Sequence, residues 1–402
     1  MLSSFYTDAA QSFSNQQANL SQLEQQLSTG KAVSTASDNP AAFVTAASDT
    51  ASATLLISEG IAQTNVQSQL GVASTALQQA GTVVDHLQSI ALQAANATEN
   101  PADFQALSEQ VGSSLQQLVS IGNTQGNNGE YLFSGTAKNA QPFVQTGSGP
   151  VQYIGNDGLS MVEISPGISV NAALSGSAFT NGLSGNGYAS VTGAGGNAGT
   201  ATLLPVGVSN EPAATAFQQG SKPINVTFAS SASGAVVYQA SQGGVSLGSG
   251  PANSGGNIAL DGVEYKLSGA PKAGDSFTVA PARPQSLFGL TQSIQQALAT
   301  PGNTPAQLAQ TQQVIGNALA GLGQYQALLA GTNARVGVVL QNTQRAASAN
   351  AQRSTADQTE VSALTGANIP QVMTDISQQT SALQAAFKAF GLASGLDVFN
   401  YL

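Results

Sequence analysis

Residues 66–94 read VQSQLGVASTALQQAGTVVDHLQSIALQA. Val66, Leu70, Ala73, Leu77, Ala80, Val84, Leu87, Ala91 and Ala94 fall at alternating steps of four and three. Those steps keep one side of an α-helix turned to the same partner, so the stretch predicts a heptad seam held over about four heptads. At about 1.5 Å per residue it runs roughly 43 Å. Several of its knobs are Ala, which lets a neighbouring helix approach closely. Asn100-Pro101 marks a break, and Phe104, Leu107, Val111, Leu115 and Leu118 predict a second amphipathic helix beyond it. Towards the N-terminus, Phe13, Leu20 and Leu27 recur at seven, with Leu23 between them.

The far end of the chain repeats this pattern. Leu308, Ile315, Leu319 and Leu322 open one helical stretch, and Ile369, Met373, Ile376, Thr380, Leu383, Phe387 and Phe390 form another four-three series. Between the helical ends, residues 146–283 hold 25 of the 44 glycines. Ile224–Phe228 and Val263–Leu267 alternate apolar and polar residues, and Val236–Tyr238 and Phe277–Val279 lie between turn signals. Short strands cut by Gly and Pro predict a small antiparallel β domain. Residues 176–200, rich in Gly, Ser and Asn, read as loop. Four helical stretches, two before and two after the β insertion, cover one another most economically as an antiparallel bundle made from both ends of the chain.

The fold class expected is therefore α+β: an elongated antiparallel helical bundle built from both chain ends, with a central antiparallel β domain inserted. The expected division is residues 1–45 with 361–402 as a terminal coiled-coil assembly domain, 46–145 with 284–360 as a helical bundle, and 146–283 as an outer Gly-rich β domain.

Composition narrows the function. The chain has 402 residues, of which only 7 % are charged, against about 25 % in an average soluble protein. Its net charge is −10, which argues against nucleic acid or an anionic membrane as partner, because neutralising phosphate needs a basic surface. There is no Cys and one His, which excludes disulfides, thiol catalysis, Cys-based zinc sites and iron–sulfur clusters. The start of the chain has neither a basic n-region nor an apolar h-region, so no cleaved secretory signal is expected.

The motifs that could carry chemistry are weak. Gly244-Val-Ser246-Leu-Gly248 matches G-x-S-x-G, but a nucleophile elbow needs a His base, and His86 lies in the heptad helix. Gly193-Ala-Gly195-Gly-Asn-Ala198 loosely fits a dinucleotide loop, without the apolar strand that should lead into one. His86 beside Asp85 reads as a solvated helix residue. No catalytic residue, cofactor or metal site is expected, and the chain is read as a non-enzyme.

The terminal segments point elsewhere. Phe387, Phe390, Leu392, Leu396, Val398, Phe399, Tyr401 and Leu402 crowd the last sixteen residues. A two-helix pair has no third layer to cover such a surface, and exposed apolar surface of that extent marks association.

Short motifs support this reading. Gln26-Leu-Ser-Thr-Gly-Lys31 followed by Ser37-Asp-Asn-Pro40 resembles the N-terminal signature of the flagellin superfamily. Position 39 is Asn, where that family usually has a second Asp. Tyr131-Leu-Phe-Ser-Gly135 with Gln141-Pro-Phe143, and the ending Phe399-Asn-Tyr-Leu402 after Leu383-Gln-Ala-Ala-Phe-Lys388, are similar to the junction-forming members of that superfamily. Gly274-Asp-Ser-Phe-Thr-Val279 is similar to an element of its hook-associated members, and Ala334-Arg-Val-Gly337 to another family segment.

The resemblance implies a structural subunit of the bacterial flagellum. Such a subunit is exported unfolded through the flagellar type III channel without a cleaved signal, is guarded beforehand by an export chaperone, and ends up extracellular. It implies a ring of copies of the chain, with hook-associated protein 1 on one side and flagellin on the other. The expected assembly interface is Leu20, Leu23, Leu27, Ile369, Met373, Ile376, Leu383, Phe387, Phe390, Leu396 and Phe399. A flagellin or flagellin-like filament subunit is the alternative.

Overall fold

The computed structural model describes residues 2–95, 101–147, 149–220 and 222–399, and the side chains of all of these except 2–6, 101 and 393–399. Asn100 of the expected break and the ending Asn400-Tyr-Leu402 lie outside the described residues.

Three helices come first: α1 (Leu2–Thr29), α2 (Pro40–Ala95) and α3 (Pro101–Gly122). Two small hairpins come next, β1 (Phe143–Gln145) with β2 (Val151–Tyr153), and β3 (Met161–Ser165) with β4 (Ile168–Asn171). They lead into α4 (Ser177–Thr180), β5 (Gly182–Leu183), β6 (Ala189–Gly193), β7 (Thr202–Val208) and α5 (Glu211–Gln219). The strands β8 (Ile224–Ser230), β9 (Val236–Gln242), β10 (Val245–Pro251), β11 (Asn257–Leu260), β12 (Val263–Ser268), β13 (Ser276–Pro281) and β14 (Pro284–Gln285) complete the β region. Three helices close the chain: α6 (Leu287–Ala299), α7 (Pro305–Thr365) and α8 (Ile369–Phe399). The helical ends and the central antiparallel β domain are as the sequence predicted, but each end carries three helices rather than two, α6 being a short one of 13 residues.

By contacts the chain forms two compact units, Met1–Ala62 with Arg345–Leu402, and Gln63–Gln344. In the second unit every residue of the 66–94 seam is buried, none more than 2 % exposed. Ala76, Val83 and Ile90 are buried too, which widens the seam into a face that meets more than one neighbour. By length and composition α2 could cross a membrane. On α3 the five expected positions, Phe104 to Leu118, are all buried.

The β domain is a five-stranded antiparallel sheet, in the order β10-β9-β8-β13-β6, and a three-stranded sheet, β11-β12-β7. Alternation sorts the side chains: Ile224, Val226 and Phe228 of β8 point into a core shared with Leu203, Phe217, Tyr265, Phe277 and Val279. The expected loop over 176–200 is corrected here. It contains α4, β5 and β6, and β6 is an edge strand of the larger sheet.

The outer edge of β6 is closed by amides on α7. Gln313 Nε2 donates to the carbonyls of Val191 (3.1 Å) and Leu203 (2.8 Å), while its Oε1 accepts from Leu203 N at 2.8 Å. Asn317 Oδ1 accepts from Val191 N at 3.3 Å, and Gln310 Nε2 donates to Gly195 O at 3.1 Å. Gln324 Nε2 reaches Asn186 O at 3.1 Å. These four amides, at steps of three, four and seven along one helix, satisfy backbone groups that a bare sheet edge would leave open.

The Tyr131–Gly135 segment folds into an aromatic knot within this unit. Phe133 packs edge-on to Phe179 (centroids 5.1 Å apart), and Phe143 lies 4.9 Å from Phe288. Gly135 has φ +66°, and a Cβ there would fall 2.0 Å from Asn156 O, so a side chain is excluded. Asp275 of the 274–279 element is buried, and its carboxylate accepts from Ala198 N (2.8 Å), Gly199 N (3.2 Å) and Lys272 N (2.8 Å). The motif is therefore a loop-fastening device.

Candidate assembly interface

The 26–40 signature makes a helix stop and a helix start. Thr29 Oγ1 donates to Gln25 O at 2.8 Å, and Gly30, at φ +69°, ends α1 in the left-handed conformation that favours glycine. Lys31 then bridges to Gly366, with Ala32 N donating to Thr365 O at 2.7 Å and Ala367 N to Gly30 O at 2.9 Å. Asp38 Oδ2 accepts from Thr35 N (2.9 Å) and Ser34 N (3.0 Å). Those N–H groups, Thr35's first, hold its carboxyl below the usual carboxylate range. Asn39 Oδ1 accepts from Ala42 N at 3.1 Å and so caps α2, with Pro40 as its first residue. Asn caps as well as Asp does, which explains why the departure at position 39 is harmless to the local fold.

α1 and α8 form an antiparallel pair. Their joined ends meet at Gly30 and Ala367, while further along Phe13 stacks on Phe387 (centroids 4.7 Å, interplanar 8°) and meets Phe390 edge-on at 5.7 Å. The seam on α1 runs through half-buried Phe13, Gln16, Leu20, Leu23 and Gln26. Among the described residues 7–32 none is buried, and among 369–392 only Val372 is.

The expected interface residues divide by face. Leu20 and Leu23 on α1, and Ile369, Ile376, Leu383 and Phe390 on α8, are half-buried along the seam. Leu27, Met373 and Phe387 are 39 %, 58 % and 55 % exposed, although Phe387 still covers Phe13 with its ring face. The side chains of Leu396 and Phe399 lie outside the described residues. Sequence reasoning missed Val372. Val372 and Met373 both fit a three-four alternation between Ile369 and Ile376, and the adjacent apolar pair left the phase of the helix open.

The weak chemical motifs resolve into turns. Gly243 and Gly244, at φ +57° and +87°, turn β9 into β10, which carries the rest of the G-x-S-x-G match. Gly193–Ala198 is the end of β6 and the turn fastened by Asp275. His86 is exposed on α2. Among the described residues no group of three or more His, Cys, Asp or Glu could hold a metal.

Comparison with known proteins agrees with this architecture. The family described as the bacterial flagellin N-terminal helical region matches residues 4–138, the segment from α1 through Tyr131–Gly135. Flagellar hook-associated protein 3 of Salmonella typhimurium is 28 % identical over 144 residues, which is 36 % of this chain and 45 % of that protein. Over that stretch this chain is similar to flagellar hook-associated protein 3. The matched stretch spans under half the length of that curated relative. Solved structures extend the likeness over the fold. The flagellar hook-associated protein 3 of Legionella pneumophila superposes with a TM-score of 0.71 at 25 % identity, covering 77 % of this chain and 96 % of that one. The flagellar junction protein FlgL of Legionella pneumophila gives 0.64 at 26 % identity, with coverages of 70 % and 93 %.

Proposed function

We propose that this chain is a structural subunit of the bacterial flagellum. Copies of it form the ring that joins hook-associated protein 1 on the hook to the flagellin filament. The observation that carries the proposal is the α1/α8 pair. Its apolar seam is only half covered by the chain itself, as expected of helices that finish packing in an assembly. Each terminal helix gains further apolar burial when neighbours arrive, and that gain offsets the cost of ordering it. Sparse charge along these helices leaves few ions to desolvate in a packed tube.

In this reading residues 1–45 with 361–402 are the assembly domain, 46–145 with 284–360 the helical bundle, and 146–283 the outer domain. The eleven interface residues, from Leu20 to Phe399, carry contacts between subunits. The chain travels unfolded through the flagellar export channel without a cleaved signal, with a chaperone shielding its C-terminal helix, and acts outside the cell without catalysing a reaction. The names of its relatives favour this reading over a flagellin-like filament subunit.

Deleting the gene and viewing the cells by electron microscopy, with flagellin assayed in the medium, tests it. Bare hooks with shed flagellin are the expected result. Intact filaments would overturn the proposal.

A further inference from the structure

An Asn side chain is open to attack by the next peptide nitrogen when Gly follows it, because glycine has no Cβ to block the approach. The chain holds three such pairs, Asn128-Gly129, Asn181-Gly182 and Asn186-Gly187. The fold treats them differently.

Two of the pairs are held. Gly182 is buried, its N–H donates to the Tyr325 hydroxyl at 3.0 Å, and a Cβ there would fall 2.4 Å from the Tyr325 ring. That nitrogen has no room to build a new bond. Asn186 Oδ1 accepts from Ala189 N (3.0 Å) and Tyr188 N (3.2 Å), and its carbonyl accepts from Gln324 Nε2 at 3.1 Å. Gly187 N donates to Ser184 O at 3.3 Å. Turning the Gly187 nitrogen onto the Asn186 carboxamide would break several of these bonds together.

The third pair is free to move. Asn128 and Gly129 are exposed in the turn between Gln125 and Tyr131, which bridge one another. Gly129 stands at φ +78°, with nothing within 4 Å of where a Cβ would lie. Glu130 N donates to Asn128 Oδ1 at 3.2 Å. That bond folds the carboxamide back along the turn and draws electron density from its Cγ. The Gly129 N–H donates to Gly126 O at 2.9 Å, an exposed turn bond that opens cheaply into water.

We propose that Asn128 is a site of spontaneous deamidation, selected by the fold from the three Asn-Gly pairs. Gly129 N gives its proton to hydroxide and bonds to Asn128 Cγ. The Cγ–Nδ2 bond breaks, and Nδ2 takes a proton from water and leaves as ammonia. The resulting succinimide ring is opened by water at Cγ, giving Asp, or at the backbone carbonyl carbon, giving isoaspartate. The net reaction consumes one water and releases one ammonia. Each event sets a new carboxylate near Glu130, whose own carboxylate pairs with Lys138 at 3.3 Å. Isoaspartate also lengthens the main chain inside the turn that leads into Tyr131–Gly135. The mark accumulates with time, so it records the age of each molecule.

Peptide mass spectrometry that separates Asn, Asp and isoaspartate tests this on the full-length folded chain, incubated in mildly alkaline buffer. Asp and isoaspartate at position 128 should accumulate at least tenfold faster than at 181 or 186. The rate should rise with pH, because the attacking nitrogen must lose its proton. In urea the three sites should converge, because the fold alone separates them. Gly129→Ala, whose methyl has open space, should slow conversion at 128 at least tenfold. Conversion at 181 or 186 in the folded chain as fast as at 128 would overturn the proposal. So would a folded chain that leaves Asn128 intact over the time in which the chain in urea converts it, or a rate at 128 that Gly129→Ala leaves unchanged.

Discussion

Two fully buried tyrosines in the second unit should respond in opposite directions to loss of one oxygen atom. Tyr325 of α7 is 1 % exposed and Tyr265 of β12 is 0 % exposed. The Tyr325 hydroxyl accepts from Gly182 N at 3.0 Å and lies between the carbonyls of Phe179 (3.2 Å) and Gln285. Tyr325→Phe therefore strands a buried N–H and at least one buried carbonyl, at a cost of about 1–3 kcal/mol. Among the described residues the buried Tyr265 hydroxyl has no hydrogen-bond partner. Tyr265→Phe removes a polar group that had been desolvated without compensation, and should stabilise by about 1 kcal/mol or more. With about 2–4 °C per kcal/mol for a unit of this size, the two variants should melt several degrees apart, on opposite sides of wild type. Urea and thermal unfolding followed by circular dichroism measure this directly.

Burial pushes both phenols well above their ordinary value, and Asp261 adds to the shift at Tyr265. The folded state thus holds the proton more tightly than the unfolded chain does. That stabilising contribution is complete below the ordinary tyrosine value of about 10 and is lost as pH climbs beyond it. The double Phe variant should accordingly lose less stability than wild type between neutral and strongly alkaline pH. Shifts of the same sign for the two single variants, or a Tyr265→Phe chain less stable than wild type by more than about 1 kcal/mol, would refute the reasoning.

Four further outcomes are expected. Gln313→Ala strips three hydrogen bonds from the joint between α7, β6 and β7 and should destabilise by about 1–3 kcal/mol, with amide exchange rising first at Val191 and Leu203. Asp275→Ala frees three backbone N–H groups and should cost about 1.5–3 kcal/mol in the same urea assay, with Asp275→Asn costing less. Leu383→Glu, at a half-buried seam position, should abolish filament attachment while leaving the melting of the second unit within about 0.5 kcal/mol of wild type. The carboxyl of Asp38 should titrate by NMR below the ordinary Asp value. Because its folded value is the lower one, its contribution to the 34–38 turn is present above the unfolded value and fades as pH falls through the folded value.

Legibility in the sequence tracked the range of the signal. The 66–94 seam and the strand at Ile224–Phe228 were legible because a helical or strand period is written in neighbouring residues, and every seam position is buried. The strand β6 was not legible: Ala-Ser-Val-Thr-Gly holds one large apolar residue, and its pairing depends on β13 and on α7, far away in the chain. Gln310, Gln313, Asn317 and Gln324 read as an ordinary polar stripe, since nothing local says that their amides close a sheet edge. The α1/α8 pair was legible as two helices but not in its phase, where Val372 takes the seam beside an exposed Met373. The short motifs around Gly30, Gly135 and Asp275 were visible as signatures, and the structure gives their physical content: a helix stop, a knot around a residue with no room for a side chain, and a fastened loop.

The central claim is positional, and one image tests it most directly. Gold-labelled antibody against the whole chain, applied to intact flagella and viewed by electron microscopy, should mark a single band where hook meets filament. Label running along the full length of the filament would contradict the account and make the chain a filament subunit instead.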